Sequence, residues 1–403
     1  MEGRNGTLKI QDQWFVVIGI VLIASTLRAP LTAVGPVIEN IQSDLKINHV
    51  LAGFITTIPL IIFGLVSMWV TRILKRFEMT HILFVAVIVT IIGLVIRISG
   101  DLLMFVIGTI IIGTSIAFCN VTLPAYAKQY FPLQIGLITG IYSATMNFTA
   151  GLGGGLSYPL SQVSGWDYRL SLSFWVVFAV VAILFWLPQL KVKDKSALQK
   201  DAHAVYPIIK SKLAWAVALL MAFQSMSFYC IVAWYPSILI SKGISPETAG
   251  YMLMLNQFAQ LPMTFTFPII AAKMKNQRRL IQMITLLFLI GFSLLWSQHV
   301  MLLILAMIFS GLAIGACFSL CMTLFSIRAK TTQGSMQLSG FGQSVGYWIA
   351  AIGPFLMGAL YDYSKNWNSA IVMFLIMTVI ICLVGHYATR AAVIEDEFEN
   401  NKV

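Results

Sequence analysis

Residues 14–38 read WFVVIGIVLIASTLRAPLTAVGPVI, an apolar run with one charged residue, Arg28, near its middle. The hydrocarbon core of a bilayer is about 30 Å thick and needs ~20 helical residues, so this run is long enough to span a membrane. A guanidinium at the bilayer centre costs about 2.5–3.5 kcal/mol on insertion scales and is tolerated where it faces a wet cavity or a partner. Arg28 is therefore a candidate functional residue.

Eleven further apolar runs of membrane-spanning length follow the first. Hydrophobic residues make up 59% of the 403-residue chain and charged residues 10%, which excludes an ordinary soluble protein. The pattern predicts an all-α membrane protein with twelve transmembrane helices. The twelve runs are near residues 14–38, 50–71, 80–98, 102–127, 134–159, 169–190, 213–240, 249–272, 279–297, 300–327, 333–361 and 369–390.

The basic residues are distributed unevenly between the two sides of the predicted membrane. If the N-terminus is cytoplasmic, 20 of the 26 Lys and Arg residues fall in the cytoplasmic segments, as the positive-inside rule requires. We therefore expect a multi-pass protein of the cytoplasmic membrane with both termini in the cytoplasm. This placement also explains the net charge of +11, so we expect no nucleic acid partner.

An internal repeat divides the chain into two similar halves. Pro36 and Pro236 are 200 residues apart, as are Gly153 and Gly353. Two six-helix halves in the same orientation are typical of parallel-repeat transporters, which bind their substrates between the halves. The predicted units are an N-terminal six-helix bundle (1–190), a basic cytoplasmic linker (191–212), a C-terminal six-helix bundle (213–390) and a cytoplasmic tail (391–403).

Nothing in the sequence has the pattern of an enzyme or a metal protein. All five cysteines lie inside apolar runs, and no His or carboxylate accompanies Cys317 and Cys321, which share a helix face, so the cysteines are interpreted as packing residues. The glycines of residues 151–155 follow no strand, and they favour close helix packing over a phosphate site. No nucleophile and base have catalytic spacing. We therefore predict no enzymatic activity, no cofactor and no metal site.

Two short motifs resemble the major facilitator superfamily, and the resemblance extends over the whole chain. Residues 27–36, LRAPLTAVGP, are similar to a helix-one motif of the branch that transports cyanate and 2-nitroimidazole. Residues 71–76, TRILKR, resemble the superfamily loop D-R-x-G-R-[KR], although Thr71 replaces the acid and Leu74 the glycine. The resemblance implies the major facilitator fold, transport of small anionic or polar planar molecules, and a gating loop that contains Arg72, Lys75 and Arg76.

Polar and aromatic residues are concentrated in runs one, four, five, seven, eight and eleven, whereas runs three, six, nine and twelve are almost uniformly apolar. Buried amides need a partner or water, so the polar runs are expected to line a cavity. Pro30 and Pro36 should interrupt the helix near Arg28 and free backbone carbonyls. The candidate substrate-binding residues are Arg28, Thr32, Asn120, Asn147, Phe228, Tyr229, Asn256, Gln260, Gln343 and Tyr347.

Each of these residues also has a purely structural interpretation. An amide can instead form a hydrogen bond between helices. The Arg28 guanidinium can be satisfied by freed carbonyls and by Asn or Gln neighbours. Both interpretations remain open at the level of sequence.

Every Asp and Glu in the chain lies at the end of an apolar run or outside the runs, so Arg28 has no obvious acidic partner in the membrane. This favours a secondary active or facilitative transporter that moves a small anionic or polar planar solute by alternating access, since the ligand would bring the negative charge. The alternatives are a proton-coupled multidrug exporter and a non-transporting membrane receptor. The expected partners are the lipid bilayer, a small-molecule substrate and a coupling proton or counter-solute, and we expect a monomer.

Overall fold

The computed structural model describes residues 14–73, 77–131, 135–163, 165–191, 207–330 and 332–399. Within these ranges all regular secondary structure is helical. A helix satisfies its backbone hydrogen bonds within one segment, which is what a spanning element needs in lipid. Each of the twelve predicted membrane segments consists of one helix or of consecutive helices joined by short turns where it is described, and the all-α prediction is confirmed.

The first six predicted spans form the N-terminal half. Its helices are α1 (Trp14–Ser25), α2 (Ala29–Thr32), α3 (Ile38–Leu45), α4 (His49–Ile73), α5 (Met79–Ile98), α6 (Leu102–Tyr130), α7 (Ile135–Ser161), α8 (Asp167–Ser173) and α9 (Val176–Trp186). The last six spans form the C-terminal half. Its helices are α10 (Lys212–Ile240), α11 (Pro246–Lys273), α12 (Arg278–Leu294), α13 (Val300–Ile327), α14 (Thr332–Ala350), α15 (Ile352–Ser364), α16 (Asn368–Ala388) and a short α17 (Ile394–Glu399).

Nine helical stretches in the described ranges are long and apolar enough to cross a membrane by length and hydropathy alone. The other three predicted spans correspond to α7, α11 and α12. Helix α11 contains three amide side chains and two charged ends, and α12 has 17 residues and begins with two arginines. Helix α7 is rich in glycine and hydroxyl residues. Polar composition or short length therefore explains why these three helices are not recognised as spans by length and hydropathy alone.

The first predicted span is interrupted at Arg28, as the two prolines predict. Helix α1 ends at Ser25, Arg28 immediately precedes α2, and a short 3₁₀ turn (Gly35–Val37) leads into α3. The amide of Val34 bonds to the Leu31 carbonyl at 3.4 Å, which is one residue short of an α-helical bond to Pro30. The Pro30 carbonyl is thus left for another donor.

The repeat in the sequence is also a repeat of packing. A Cβ atom at Gly153 of α7 would lie 2.9 Å from the carbonyl oxygen of Ala29 in α2, so α7 packs closely on the first span. A Cβ atom at Gly353 of α15 would lie 2.8 Å from Sγ of Cys230 in α10, so the eleventh span packs closely on the seventh. In each half, the fifth span therefore packs closely on the first span at a glycine.

Each half has its own apolar core, with only a few residues buried in the core of the other half. Those residues are Ile38, Ala52 and Ala351. Separate cores are typical of units that can fold as distinct domains. This arrangement agrees with two six-helix bundles.

We call the side of the bundle with Lys191, Lys273, Arg328 and Arg390 the basic side, and the opposite side the far side. On the far side, glycines bring the backbones of the two halves together at four described places, one of which is Gly358 of α15 against the His49 carbonyl. Gly35 lies directly against the Val232 carbonyl, and Cβ atoms at Gly53 and Gly250 would lie 2.6 Å from the Pro354 carbonyl oxygen and 2.9 Å from that of Gly154. Such contacts leave no room for side chains, so the far side is closed.

Candidate functional site

Arg28 lies at the interruption of the first span, half-buried between the two halves. Its Nη1 donates a 2.7 Å hydrogen bond to Oδ1 of Asn147 on α7. On the other side its Cζ lies 4.8 Å from the ring centroid of Phe228 on α10 and 5.4 Å from that of Phe318 on α13. These distances allow cation–π attraction to both rings. The guanidinium is therefore held by an amide from one half and aromatic rings from the other.

Two tyrosines of the C-terminal half complete the aromatic surroundings of Arg28. Tyr229 on α10 meets the Phe228 ring nearly perpendicularly, with the centroids 5.0 Å apart. Tyr347 on α14 meets Phe63 of α4 edge-on at 5.5 Å. Both tyrosines are close enough to interact electrostatically with Arg28. Among the described residues, no carboxylate pairs with Arg28.

Asn120 and Gln343 are half-buried polar residues without a bond to Arg28. The Gln343 amide donates to Oγ of Ser339 at 3.0 Å, one turn earlier on α14, and Tyr347 follows one turn later. Asn120 lies in the inner stretch of α6 and is also half-buried. Neither residue takes part in the hydrogen bonding of Arg28, and both remain candidates for contact with a ligand.

Three predicted site residues instead lie within helix packing. Thr32 is buried, and its hydroxyl is 3.3 Å from each of the carbonyls of Arg28 and Ala29. Asn256 is fully buried and donates to the Met307 carbonyl and to Oγ of Ser310 on α13, both at 2.9 Å. Gln260 is 2% exposed and donates to Gln257 on its own helix. We do not include these three in the site around Arg28.

The gating loop predicted from the resemblance falls mostly outside the described residues. Arg72 lies in the last turn of α4, and Lys75 and Arg76 lie beyond the described range.

Phe318 and Arg97 were not among the predicted site residues. Phe318 is one apolar residue in an apolar helix, and no sequence signal distinguishes it. Arg97 lies in the last turn of α5, on the far side, where basic residues are rare. A basic residue on the side where basic residues are rare is the sequence signal that could have identified Arg97. In the structure Arg97 is 2% exposed and donates to the Pro30 carbonyl at 2.9 Å, directly behind the Arg28 turn.

Comparison with known proteins agrees with this architecture. Residues 16–350 match the Major Facilitator Superfamily. A solved structure with the same fold, the D-xylose-proton symporter, has a TM-score of 0.76 and 14% sequence identity, and the match covers 94% of this chain and 99% of that one.

Three relatives are similar along most of their length. The uncharacterized transporter YycB of Bacillus subtilis is 36% identical, with 95% of each chain covered. The 2-nitroimidazole transporter of Escherichia coli is 32% identical, covering 95% of this chain and 98% of the relative. The cyanate transport protein CynX of Escherichia coli is 23% identical, covering 86% and 90%. The chain belongs to the Major Facilitator Superfamily, in which it resembles the branch of these last two proteins, and it is a multi-pass membrane transporter rather than an enzyme.

Proposed function

We propose that this protein transports a small anionic or polar planar solute, which binds at Arg28 between the two halves. The observation that carries the proposal is the placement of the Arg28 guanidinium. It is bonded to the neutral Asn147 and flanked by the rings of Phe228 and Phe318, with no acidic partner among the described residues. A cation held in this way is most stable when a ligand supplies the negative charge.

The aromatic surroundings favour a flat or polarisable ligand. A guanidinium presents a planar fork of donors that matches carboxylate-like groups. Aromatic rings stack on planar ligands and leave those in-plane donors available. Phe228, Phe318, Tyr229 and Tyr347 therefore suit a ligand that is both small and planar.

The similarity to named transporters supports the same class of ligand. One relative is named for 2-nitroimidazole, a planar heterocycle, and the other for cyanate, a small anion. Both chemistries fit a guanidinium between aromatic rings. We therefore propose a cyanate-like anion or a nitroimidazole-like heterocycle as the substrate.

The site is placed appropriately for alternating access. Arg28 and Asn147 come from the N-terminal half and the aromatic residues come from the C-terminal half, so relative movement of the halves would open the site to one side at a time. We propose that the far side is extracellular and that both termini are cytoplasmic, because the basic residues gather on the opposite side. We also propose that each monomer is a complete transporter, with the unit boundaries given above.

A proton-coupled multidrug exporter is the alternative. Exporters of cations generally need an acid within the membrane, and every Asp and Glu of this chain lies at the end of a span or outside the spans. Any proton coupling should therefore follow ionisation of the substrate, or involve an acid at the cavity rim such as Glu39 or Asp362.

The proposal is tested by ligand binding to purified protein and two variants. Cyanate, nitrate, benzoate, 2-nitroimidazole and cationic dyes are screened by thermal shift, because a ligand that binds only the folded state raises the melting temperature. Arg28→Lys and Arg28→Gln should each weaken binding of the best anion or heterocycle. Loss of a buried charge-assisted hydrogen bond costs about 1.5–3 kcal/mol, or roughly 10- to 150-fold in affinity.

The control is Arg169→Gln, which removes an arginine whose Nη2 pairs with Asp44 at 2.8 Å at the edge of the far side. It should leave affinity unchanged. If Arg28 is structural, Arg28→Gln will lower the melting temperature while the remaining folded protein binds as wild type does. Unchanged affinity in both Arg28 variants, or binding of cationic dyes alone, would contradict the proposal.

A further inference from the structure

A second guanidinium, that of Arg97, is buried between Arg28 and the far side of the bundle. Arg97 is 2% exposed, and its Nη1 donates to the Pro30 carbonyl at 2.9 Å, while its Nη2 lies 3.5 Å from the Leu172 carbonyl. Its Nε is buried and has no hydrogen-bond partner in the described structure. A guanidinium has five N–H donors, so Arg97 has donors to spare.

The surrounding helices compensate only part of the buried positive charge of Arg97. Arg97 lies in the last turn of α5, where the negative end of the helix dipole favours a cation. The Pro30 carbonyl, freed by the interruption of the first span, supplies one acceptor. Neither acceptor carries a full negative charge. A buried cation without an anionic partner is costly, and no carboxylate of the described residues pairs with Arg97.

Arg97 lines a cavity of about 30 Å³, which has room for about two water molecules while the far side is closed. The cavity lies against the first span at Val34 and Gly35, and Tyr229 and Val232 of the other half close it. Because Gly35 contacts the Val232 carbonyl directly, separation of the halves on the far side would remove part of this wall. Arg97 would then face the far-side solution.

The cavity adjoins the Arg28 site. Tyr229 lines the cavity at Arg97 and is also close enough to Arg28 to interact with it electrostatically. The two guanidiniums are linked through the interrupted span, since Arg97 bonds to Pro30, two residues beyond Arg28. A small anion that enters from the far side would therefore meet Arg97 before Arg28.

We propose that Arg97 and its cavity form a second binding subsite for a small anion, which is occupied when the far side is open and precedes the Arg28 site. The inference rests on the proposed function, because it assumes that the transported solute is anionic. It implies that Arg97 affects binding from one side of the membrane, whereas Arg28 affects binding from both.

The test measures transport from each side separately. Radiolabelled cyanate, nitrate and benzoate are offered as probes to right-side-out and inside-out membrane vesicles that contain the full-length protein. Arg97→Gln should raise KM by about 10-fold or more for entry from the far side, with a change of less than about threefold from the basic side. Arg28→Gln should raise KM from both sides by at least the same factor.

Ser157→Ala is the matched structural control. The Ser157 hydroxyl donates to the Ala33 carbonyl at 2.5 Å and so supports the same interrupted span without any charge. Its loss should alter transport from both sides equally, and only slightly. Measurement of the melting temperature of each variant shows whether it is folded.

The outcomes separate the two proposals. An equal KM change from both sides for Arg97→Gln means that Arg97 only supports the Arg28 turn, and this overturns the subsite while the proposed function stands. An unchanged KM from both sides overturns the subsite in the same way. A wild-type protein that transports none of the three anions overturns the subsite and the anionic part of the proposed function, and leaves a nitroimidazole-like heterocycle as the proposed substrate.

Discussion

Asn147 accepts a 2.7 Å hydrogen bond from the Arg28 guanidinium, and this bond joins α7 to the interruption of the first span. The acceptor is a neutral amide at a position where a carboxylate would form an ion pair. An asparagine satisfies one donor and leaves the positive charge uncompensated. Because a carboxylate has nearly the same shape, the effect of charge alone can be tested at this position.

Asn147→Asp should therefore weaken anion binding while it stabilises the unliganded protein. The new carboxylate would form an ion pair with Arg28 and neutralise the positive charge that the anionic ligand needs. We expect at least a 10-fold loss of anion affinity, by the cost of about 1.5–3 kcal/mol for a charge-assisted bond. The measurement is the melting temperature of the variant with and without the best anion of the screen.

Asn147→Leu is the control, since it removes the acceptor without adding charge. It should lower the melting temperature and retain the anion-induced rise. If the anion raised the melting temperature of Asn147→Asp as much as that of wild type, the anion would not bind at the Arg28 guanidinium.

Gly53→Ala and Gly250→Ala should each disfavour the closed far side. A Cβ atom at these positions would lie 2.6 Å from the Pro354 carbonyl oxygen and 2.9 Å from that of Gly154. Overpacking of this kind costs about 1–3 kcal/mol, which corresponds to a shift of about 5- to 150-fold toward a separated far side. Spin labels at the exposed far-side positions 46 and 365, one in each half, should show a larger population of long label-to-label distances in these variants than in wild type.

Gly340→Ala is the matched control, because a Cβ atom at Gly340 would have no neighbour within 4 Å. This change should leave the distance distribution and the transport rate as they are. Equal behaviour of all three alanine variants would mean that the glycine contacts do not govern closure.

Asn256→Ala should reduce stability without changing ligand affinity. Its two hydrogen bonds to α13 are internal to the C-terminal half. Interhelical bonds of this type in membranes average about 0.6 kcal/mol and reach about 1.7, so the melting temperature should fall modestly. Calorimetric titration with the best ligand should give a Kd within about twofold of wild type. A large loss of affinity at unchanged stability would instead place Asn256 in the binding site.

Asp362→Asn should leave transport largely intact. The carboxylate of Asp362 lies 3.1 Å from Nδ1 of His49 and accepts a 3.0 Å bond from the Val50 amide, so it joins α15 to the start of α4 on the far side. An asparagine keeps an acceptor for the Val50 amide and removes only the charge. Uptake driven by a pH gradient and exchange at equal pH are measured in the same proteoliposomes. Loss of the first with retention of the second would identify Asp362 as a proton site.

Much of the fold follows from local sequence. Runs of apolar residues predict the helices, Pro30 and Pro36 predict the interruption beside Arg28, and the glycines at 153 and 353 predict matching halves. Arg28 was recognisable as a candidate because it is the one charged residue near the middle of an apolar run. These features depend on short stretches or on simple spacing, so tertiary packing does not obscure them.

The remaining site residues depend on how the helices are rotated against each other. Asn147 and Asn256 are both amides in the interior of a span, yet the first faces Arg28 and the second faces α13. Phe318 is one of 26 phenylalanines, and its neighbours in the sequence do not distinguish it from the others. Arg97 is at the end of a span, where a basic residue usually reaches water, and only the fold shows that the interrupted first span covers it.

The glycine contacts on the far side also determine how well the membrane is sealed. Backbone pressed against backbone leaves no gap for a chain of water molecules, and hydrogen-bonded water is what conducts protons through a pore. Closure at Gly35, Gly53 and Gly250 requires no side chain to swing into place or to lose its hydration. A larger side chain at any of the three would hold the halves apart by its own width. The electrical insulation of the cell would then depend in part on the absence of a methyl group at each of these glycines.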